Sequence, residues 1–409
     1  MAQLPIADPA PSDGLLPVQA SVGSNERSFH AYVHVPFCSV RCGYCDFNTY
    51  TASELLGFRQ DEFVTRFDQE LALSIEVLEE SKVSSRPLSS VFFGGGTPTQ
   101  LPATDLVRVL KSLSDAFGLA PSVEITTEAN PDSVNADYLA ELAIGGFTRV
   151  SFGMQSAVPA VLKILERTHN PENIPLAVKS AKDAGLKTSV DLIYGTPGET
   201  LDEWKRSVDA AIALDTDHVS AYALIVEPGT KLARQISSGV VAMPDEDLDA
   251  DKYEYLDEVF ASAHFSWYEL SNFAKTSSDE SVHNRAYWSG QDWWGFGPGA
   301  HSHIGGVRWW NAKHPTAYAK PLAMGQSPAV GRETLDDATR AIERVMLEIR
   351  LREGLLIDVL RTANPEPSLA IAQLIADGLV EPRAALTGRL TLTLRGRLLA
   401  DAVVKRLLP

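Results

Sequence analysis

Between residues 30 and 263 the chain alternates six times between a short β-rich run and a longer stretch of helical periodicity, and no other feature limits the fold as much. The runs cover residues 31–35, 90–93, 123–127, 149–152, 187–194 and 218–224. The stretches between them place apolar residues three and four apart, as with Phe63, Phe67, Leu71, Ile75 and Leu78 after the first run. Strands that alternate with helices over short connections pair in parallel, and the right-handed crossover rule curls such a sheet toward a barrel. The expected class is therefore α/β, a partial (β/α)6 barrel over residues 30–263.

The flanks break this rhythm. Residues 1–29 mix Pro, Ser, Gly and Asp without apolar periodicity, which predicts a disordered extension. Residues 264–333 hold six of the seven tryptophans and five of the nine histidines among many glycines, which reads as a loop-rich lid over the barrel mouth. Residues 334–409 predict two helices, a hairpin over 379–394 and a last helix, a C-terminal helical, winged-helix-like appendage. With 53 acidic against 36 basic residues the net charge is -17, so a nucleic-acid backbone or an anionic membrane surface is disfavoured as a partner. No apolar run spans a bilayer and the N-terminus lacks a signal core, so the expected location is cytoplasmic with no membrane span.

The whole chain has three cysteines, Cys38, Cys42 and Cys45, directly after the first strand in the order C-x3-C-x2-C. An odd set of thiols in a chain without an export signal is no disulfide framework. Three thiolates on a tight loop can hold three irons of a cubane cluster and leave the fourth iron open to a chelating small molecule. Inert thiols and a zinc site completed by His34 are the competing readings, and the second makes the chain a zinc-stabilised binding module. Zinc sites usually pair cysteines as two C-x2-C knuckles, however, and only one such pair exists here.

In a parallel barrel, ligands meet residues at the C-terminal strand ends. The second strand ends in Gly94-Gly95-Gly96-Thr97, where bare backbone can approach a ligand. Glu128 ends the third, where a carboxylate can accept from ribose hydroxyls. Gln155 ends the fourth and can both donate and accept, while Arg167 beyond it can pair with a carboxylate. Asp191 lies inside the apolar fifth run, where an unpaired carboxylate is costly, so a ligand or arginine partner is expected. The acidic stretch 245–251 reads as a solvated helix start.

The C-x3-C-x2-C placement resembles the radical S-adenosylmethionine (SAM) superfamily, and the ordered elements from Tyr32 onward resemble the oxygen-independent coproporphyrinogen III oxidase family. That resemblance implies a 4Fe-4S cluster on the three cysteines. It also implies SAM contacts at Tyr32, Tyr44, Gly95, Gly96, Thr97, Glu128, Gln155, Arg167, Asp191 and Ala223. The porphyrinogen-oxidising members extend the motif to C-x3-C-x2-C-x-C, whereas this chain has Phe47 at the last position. Together with His283-Asn284-x-x-Tyr287-Trp288, this is similar to the HemW branch, regarded as heme chaperones. That branch implies heme as a further cofactor, held at the barrel mouth through His283, Asn284, Tyr287 and Trp288, and an acceptor hemoprotein as partner. A respiratory-chain acceptor and a homodimer are the finer expectations. An imidazole is a common axial ligand of heme iron and aromatic faces stack on porphyrins, which agrees with this reading. His301 and His303 are weaker candidates for a second ligand. The rival function is that of an enzyme, oxidative decarboxylation of coproporphyrinogen III.

Overall fold

The computed structural model describes residues 7–409. The six predicted pairs form a curved parallel sheet. In chain order they are β1 (Phe29–Val35), α1 (Phe63–Glu80), β2 (Leu88–Gly95), α2 (Ala103–Phe117), β3 (Leu119–Ala129), α3 (Ala136–Ile144), β4 (Arg149–Gln155), α4 (Pro159–Ile164), α5 (Asn173–Asp183), β5 (Lys187–Tyr194), α6 (Leu201–Ala213) and β6 (His218–Ala223). Side chains alternate between the two faces of these strands. On β1, Ala31, Val33 and Val35 are fully buried toward the helices, while His30, Tyr32 and His34 face inward. The same alternation sends Val91 and Phe93, then Val150 and Phe152, to the outer core. The inner face is thus unusually polar for a barrel.

The chain continues through α7 (Lys231–Ser237), α8 (Glu246–Ser262), β7 (Ser266–Glu269), β8 (Asn272–Ala274), α9 (Val282–Trp288), β9 (Asp292–Phe296), β10 (His301–Ile304), β11 (Val307–Asn311), α10 (Pro315–Leu322) and β12 (Ala329–Thr334). The sheet has twelve strands in the order β12-β11-β10-β9-β1-β2-β3-β4-β5-β6-β8-β7. The segment expected to be a loop-rich lid therefore extends the sheet beyond β1 with β9 to β12 and beyond β6 with β8 and β7, and five of its six tryptophans lie on strands, Trp288 ending α9. Trp294 and Trp309 meet edge to face at 4.9 Å in the main core. Short strands broken by glycines gave the periodicity too few residues to read.

The predicted extension is also corrected. Asp8 pairs with Arg332 on β12, and Arg27 joins Arg86 in an ion pair with the buried Asp292. Residues 7–28 are therefore tied to the sheet by polar contacts that apolar periodicity cannot reveal; residues 1–6 of the expected extension lie outside the described residues. The C-terminal unit has its own core around Val345, Leu360, Leu374 and Leu390. Its expected hairpin is interrupted: Val380 bridges Leu392, but helix Pro382–Leu386 lies between them, and Arg389–Leu390 pairs with Leu355–Leu356 instead. Arg397 anchors the unit to α8 through both oxygens of Asp257 at 2.7 Å and lies over Trp267.

Candidate functional site

Strand β1 delivers the chain through Pro36 and Phe37 into the cysteine loop. Backbone bonds fix its stem, from the Cys38 N–H to the Tyr50 carbonyl and from the Tyr50 N–H to the Pro36 carbonyl. The far side is held where the Gly43 N–H donates to Leu165 and the Gly43 carbonyl accepts from Leu232. All three cysteines are free and half-buried. Thr97 Oγ1 stands 3.9 Å from the Cys38 sulfur, and Arg167 Nη1 donates to the Cys42 sulfur at 3.7 Å. Burial raises the Cys38 thiol pKa and pushes Cys45 up to about 12, so ligation has to displace protons. Among the described residues no three His, Cys, Asp or Glu side chains stand at the spacing of a single-ion site, which a cubane, with each thiolate on a different iron, does not need. The donor set nonetheless fits an iron–sulfur cluster: three adjacent free thiols, a cation beside them, and a rigid stem.

Next to this loop the inner face opens into a chamber. Tyr32, Glu128 and Asp191 occupy inward positions on β1, β3 and β5 and remain only half-buried. Glu128 accepts from the Gly95 N–H at 3.2 Å, and Asp191 accepts from Ser151 Oγ at 3.1 Å. Arg167 reaches across to the Gly153 carbonyl at 3.0 Å, where a Cβ would stand 2.6 Å from its nitrogen, so a side chain there would displace the guanidinium. Gln155 adopts φ 62°, a strained left-handed conformation at a register shift between β4 and β5. Burial, then the nearby Asp191, raises the Glu128 carboxyl to about 8; burial raises Asp191 to about 6. Two carboxyls and one arginine around a half-open space suit a ligand with cationic groups and one carboxylate, which is the charge pattern of SAM. Tyr44 lies within the electrostatic reach of Cys42, Arg167 and Asp191. Gly96 and Thr97 are tied to the cysteine loop through the Val35 and Phe37 carbonyls, and Ala223 lies exposed at the end of β6, in register with Tyr194 of β5.

The H-N-x-x-Y-W segment lies at the opposite end. Its approach is fastened to the first residues of the strands: Arg149 donates to the Asp279 carbonyl, and Lys187 pairs with the Asp279 carboxylate. Glu124 accepts from Ser281 Oγ and the His283 N–H. The segment therefore closes the barrel floor and is not at the mouth, contrary to expectation. His283 is 2% exposed, with its ring nitrogens bonded to Ser90 Oγ at 2.7 Å and Tyr287 OH at 2.9 Å, and its ring stacked on Phe92. No face of the imidazole is open to an iron in this arrangement. Tyr287 meets His283 and Trp293 edge to face, and Asn284 Nδ2 approaches Glu269 at 3.4 Å while its buried Oδ1 has no partner. Trp288 is half-buried at the end of α9.

Of the buried acids that escaped the sequence reading, two hold this region together. Glu124 pairs with Arg149 at 3.2 Å beneath the chamber. Glu70, on the core face of α1, accepts from the Gly297 N–H, Asn311 and Tyr318, and so holds the turn between β9 and β10. A charge interrupting the apolar stripe of a helix was the available signal for Glu70.

The profile of the Radical SAM superfamily matches residues 32–211. The chain is 46% identical over 383 residues to a "Heme chaperone HemW" of Mycobacterium tuberculosis, covering 93% of this chain and 95% of the relative. It is 33% identical to the protein of the same name from Bacillus subtilis, over 79% of this chain and 84% of that one. Among solved structures, the Escherichia coli coproporphyrinogen III oxidase HemN superposes with a TM-score of 0.80 over 97% of this chain and 94% of that one, at 23% identity, a likeness of fold.

Proposed function

The chain belongs to the HemW heme chaperones of the Radical SAM superfamily, and from that premise we propose that it binds heme and transfers it to an acceptor hemoprotein. The observation that carries the reading is the near full-length relationship to a curated heme chaperone. In this proposal Cys38, Cys42 and Cys45 hold a 4Fe-4S cluster whose open iron binds SAM. The chamber around Tyr32, Tyr44, Gly95, Gly96, Thr97, Glu128, Gln155, Arg167, Asp191 and Ala223 orients SAM. Arg167 takes its carboxylate. Glu128 accepts from the ribose once its proton has left, and Asp191 balances cationic charge. When bound, the cluster and SAM supply the superfamily's redox chemistry; the residues here position them and exclude competing ligands.

The H-N-x-x-Y-W residues His283, Asn284, Tyr287 and Trp288 support heme handling by forming the floor on which the chamber rests. A respiratory-chain acceptor and a homodimer remain the finer parts of the proposal, and no helix is long and apolar enough to cross a membrane among the described residues. The test is anaerobic reconstitution with iron and sulfide, followed by separate incubation with hemin and with coproporphyrinogen plus SAM. The expected outcome is a broad visible cluster band, a Soret band on hemin addition and no porphyrinogen oxidation. Oxidised product above the no-enzyme background overturns the chaperone reading in favour of the oxidase.

A further inference from the structure

Five histidines are fully buried among the described residues, and four of them, His30, His34, His218 and His283, have both ring nitrogens in hydrogen bonds. His169 is the exception. It is 4% exposed, its Nδ1 accepts from Arg167 Nε at 3.1 Å, and its Nε2 is buried without a partner among the described residues. An imidazole that spends one nitrogen and leaves the other dry gains little as core filling. The nitrogen it does spend points to its use.

Arg167 joins several parts of the mouth. Besides the Nε bond, Nη1 donates to the Cys42 sulfur at 3.7 Å and Nη2 to the Gly153 carbonyl at 3.0 Å. A guanidinium has five N–H groups, so these three bonds leave one on each of Nη1 and Nη2, the number that a carboxylate takes from an arginine fork. Such a fork recognises a carboxylate only while its plane is held, and a free arginine side chain turns readily. His169 holds it at the third nitrogen. Because Nδ1 accepts, the ring carries its proton on Nε2, and burial together with the Arg167 charge lowers its pKa to about 4, which keeps that neutral form.

The ring itself stands on fixed backbone. Ahead of it, the Leu165 carbonyl accepts from the Gly43 N–H of the cysteine loop, Glu166 takes a left-handed φ of 55°, and the Arg167 N–H donates back to Leu162. Behind it, the Asn170 N–H and Asn173 Nδ2 both donate to the carboxylate of Asp132, in the turn after β3. The imidazole is thus set between the cysteine loop, the end of α4 and the end of β3.

We propose that His169 is a positioning residue of the SAM site: through Nδ1 it fixes the plane of Arg167, so that the guanidinium presents its two remaining N–H groups to the SAM carboxylate beside Cys42. The inference rests on the SAM reading above and adds to it a residue that acts through Arg167.

The test reconstitutes the cluster anaerobically in the full chain and in His169→Leu, His169→Gln, Arg167→Ala and the double variant Arg167→Ala, His169→Leu. Iron content and far-UV circular dichroism are measured first, then SAM affinity by equilibrium dialysis and the change that SAM makes in the electron paramagnetic resonance spectrum of the reduced cluster. His169→Leu is expected to keep its iron and its fold but to bind SAM at least about tenfold more weakly, with an altered spectral change at saturating SAM. His169→Gln, whose amide oxygen can still accept from Nε, should recover both. In the Arg167→Ala background the leucine substitution should cost nothing more, since the group it positions is gone. The same cycle with His169→Ala keeps a folding defect peculiar to leucine from deciding the outcome. Wild-type SAM affinity in both the leucine and the alanine variants overturns the assignment while leaving the SAM reading intact, and so does an equal loss with and without Arg167. A reconstituted wild-type chain that binds no SAM overturns both.

Discussion

The two ends of the barrel are built from similar residue types and have opposite chemistry. At the mouth, Cys38, Cys42, Cys45, Glu128, Asp191 and Arg167 are half-buried, and the two carboxyls are pushed upward by burial. At the floor, His30, Ser90, His283 and Tyr287 form an unbroken hydrogen-bonded chain, and Glu124 is paired with Arg149. Ser90 has one hydroxyl proton between two imidazoles, so at least one imidazole must donate to it. The lesson is that the presence of polar residues inside a barrel does not identify a site. Whether their bonding capacity is already spent does. The half-buried groups of the mouth keep capacity for a ligand, while most floor groups are spent on one another, with Asn284 Oδ1 and two Arg149 nitrogens the exceptions.

This contrast breaks most sharply if mouth variants fail to separate binding from stability. Replacing Cys42 with Ala should abolish cluster assembly, reducing the iron found after anaerobic reconstitution from about four per chain to background, while the unfolding midpoint of the unloaded chain barely moves. At the floor the expectation is reversed. Glu124→Ala leaves Arg149 buried without its ion pair and should cost about 3–5 kcal/mol in denaturant unfolding. His283→Ala removes two buried hydrogen bonds and a stack on Phe92, for a smaller loss of roughly 2 kcal/mol. A floor variant that keeps full stability but loses SAM binding would reverse the assignment of the two ends.

The smallest effect is set by pH. The Glu128 carboxyl titrates near 8 in the folded, ligand-free chain against an ordinary 4.5, so its ionisation opposes folding as pH rises through that window. Glu128→Gln keeps the acceptor for the Gly95 N–H and removes the ionisation. It should therefore leave thermal stability unchanged near pH 4, raise it increasingly between about pH 4.5 and 8, and hold the gain above that. Melting curves of both proteins across this range check the sign; a gain that is largest at low pH contradicts the raised pKa.

The six strand–helix pairs and the cysteine loop were legible in the sequence because each carries a strong local signal: alternation along β1, three- and four-residue spacing on α1, and three thiols at tight spacing. The strands β8 to β12 were not, since runs of three to six residues, with a glycine inside β9 and β12, give no period to measure. The N-terminal segment misled for a related reason, as Arg27 and Asp8 bind it through long-range polar contacts. The H-N-x-x-Y-W motif was visible, but its position was not. Nothing local tells that the chain after β8 turns beneath the barrel, where the first residues of β4 and β5 hold Asp279.

The central claim is that this chain carries heme to another protein. Its most direct test loads the reconstituted chain with hemin, mixes it with increasing amounts of an apo-hemoprotein of distinct Soret spectrum, and follows the rate at which the acceptor's band appears. The account predicts a rate that grows with acceptor concentration and exceeds the spontaneous loss of heme to buffer. A rate independent of the acceptor, equal to simple dissociation, would contradict it.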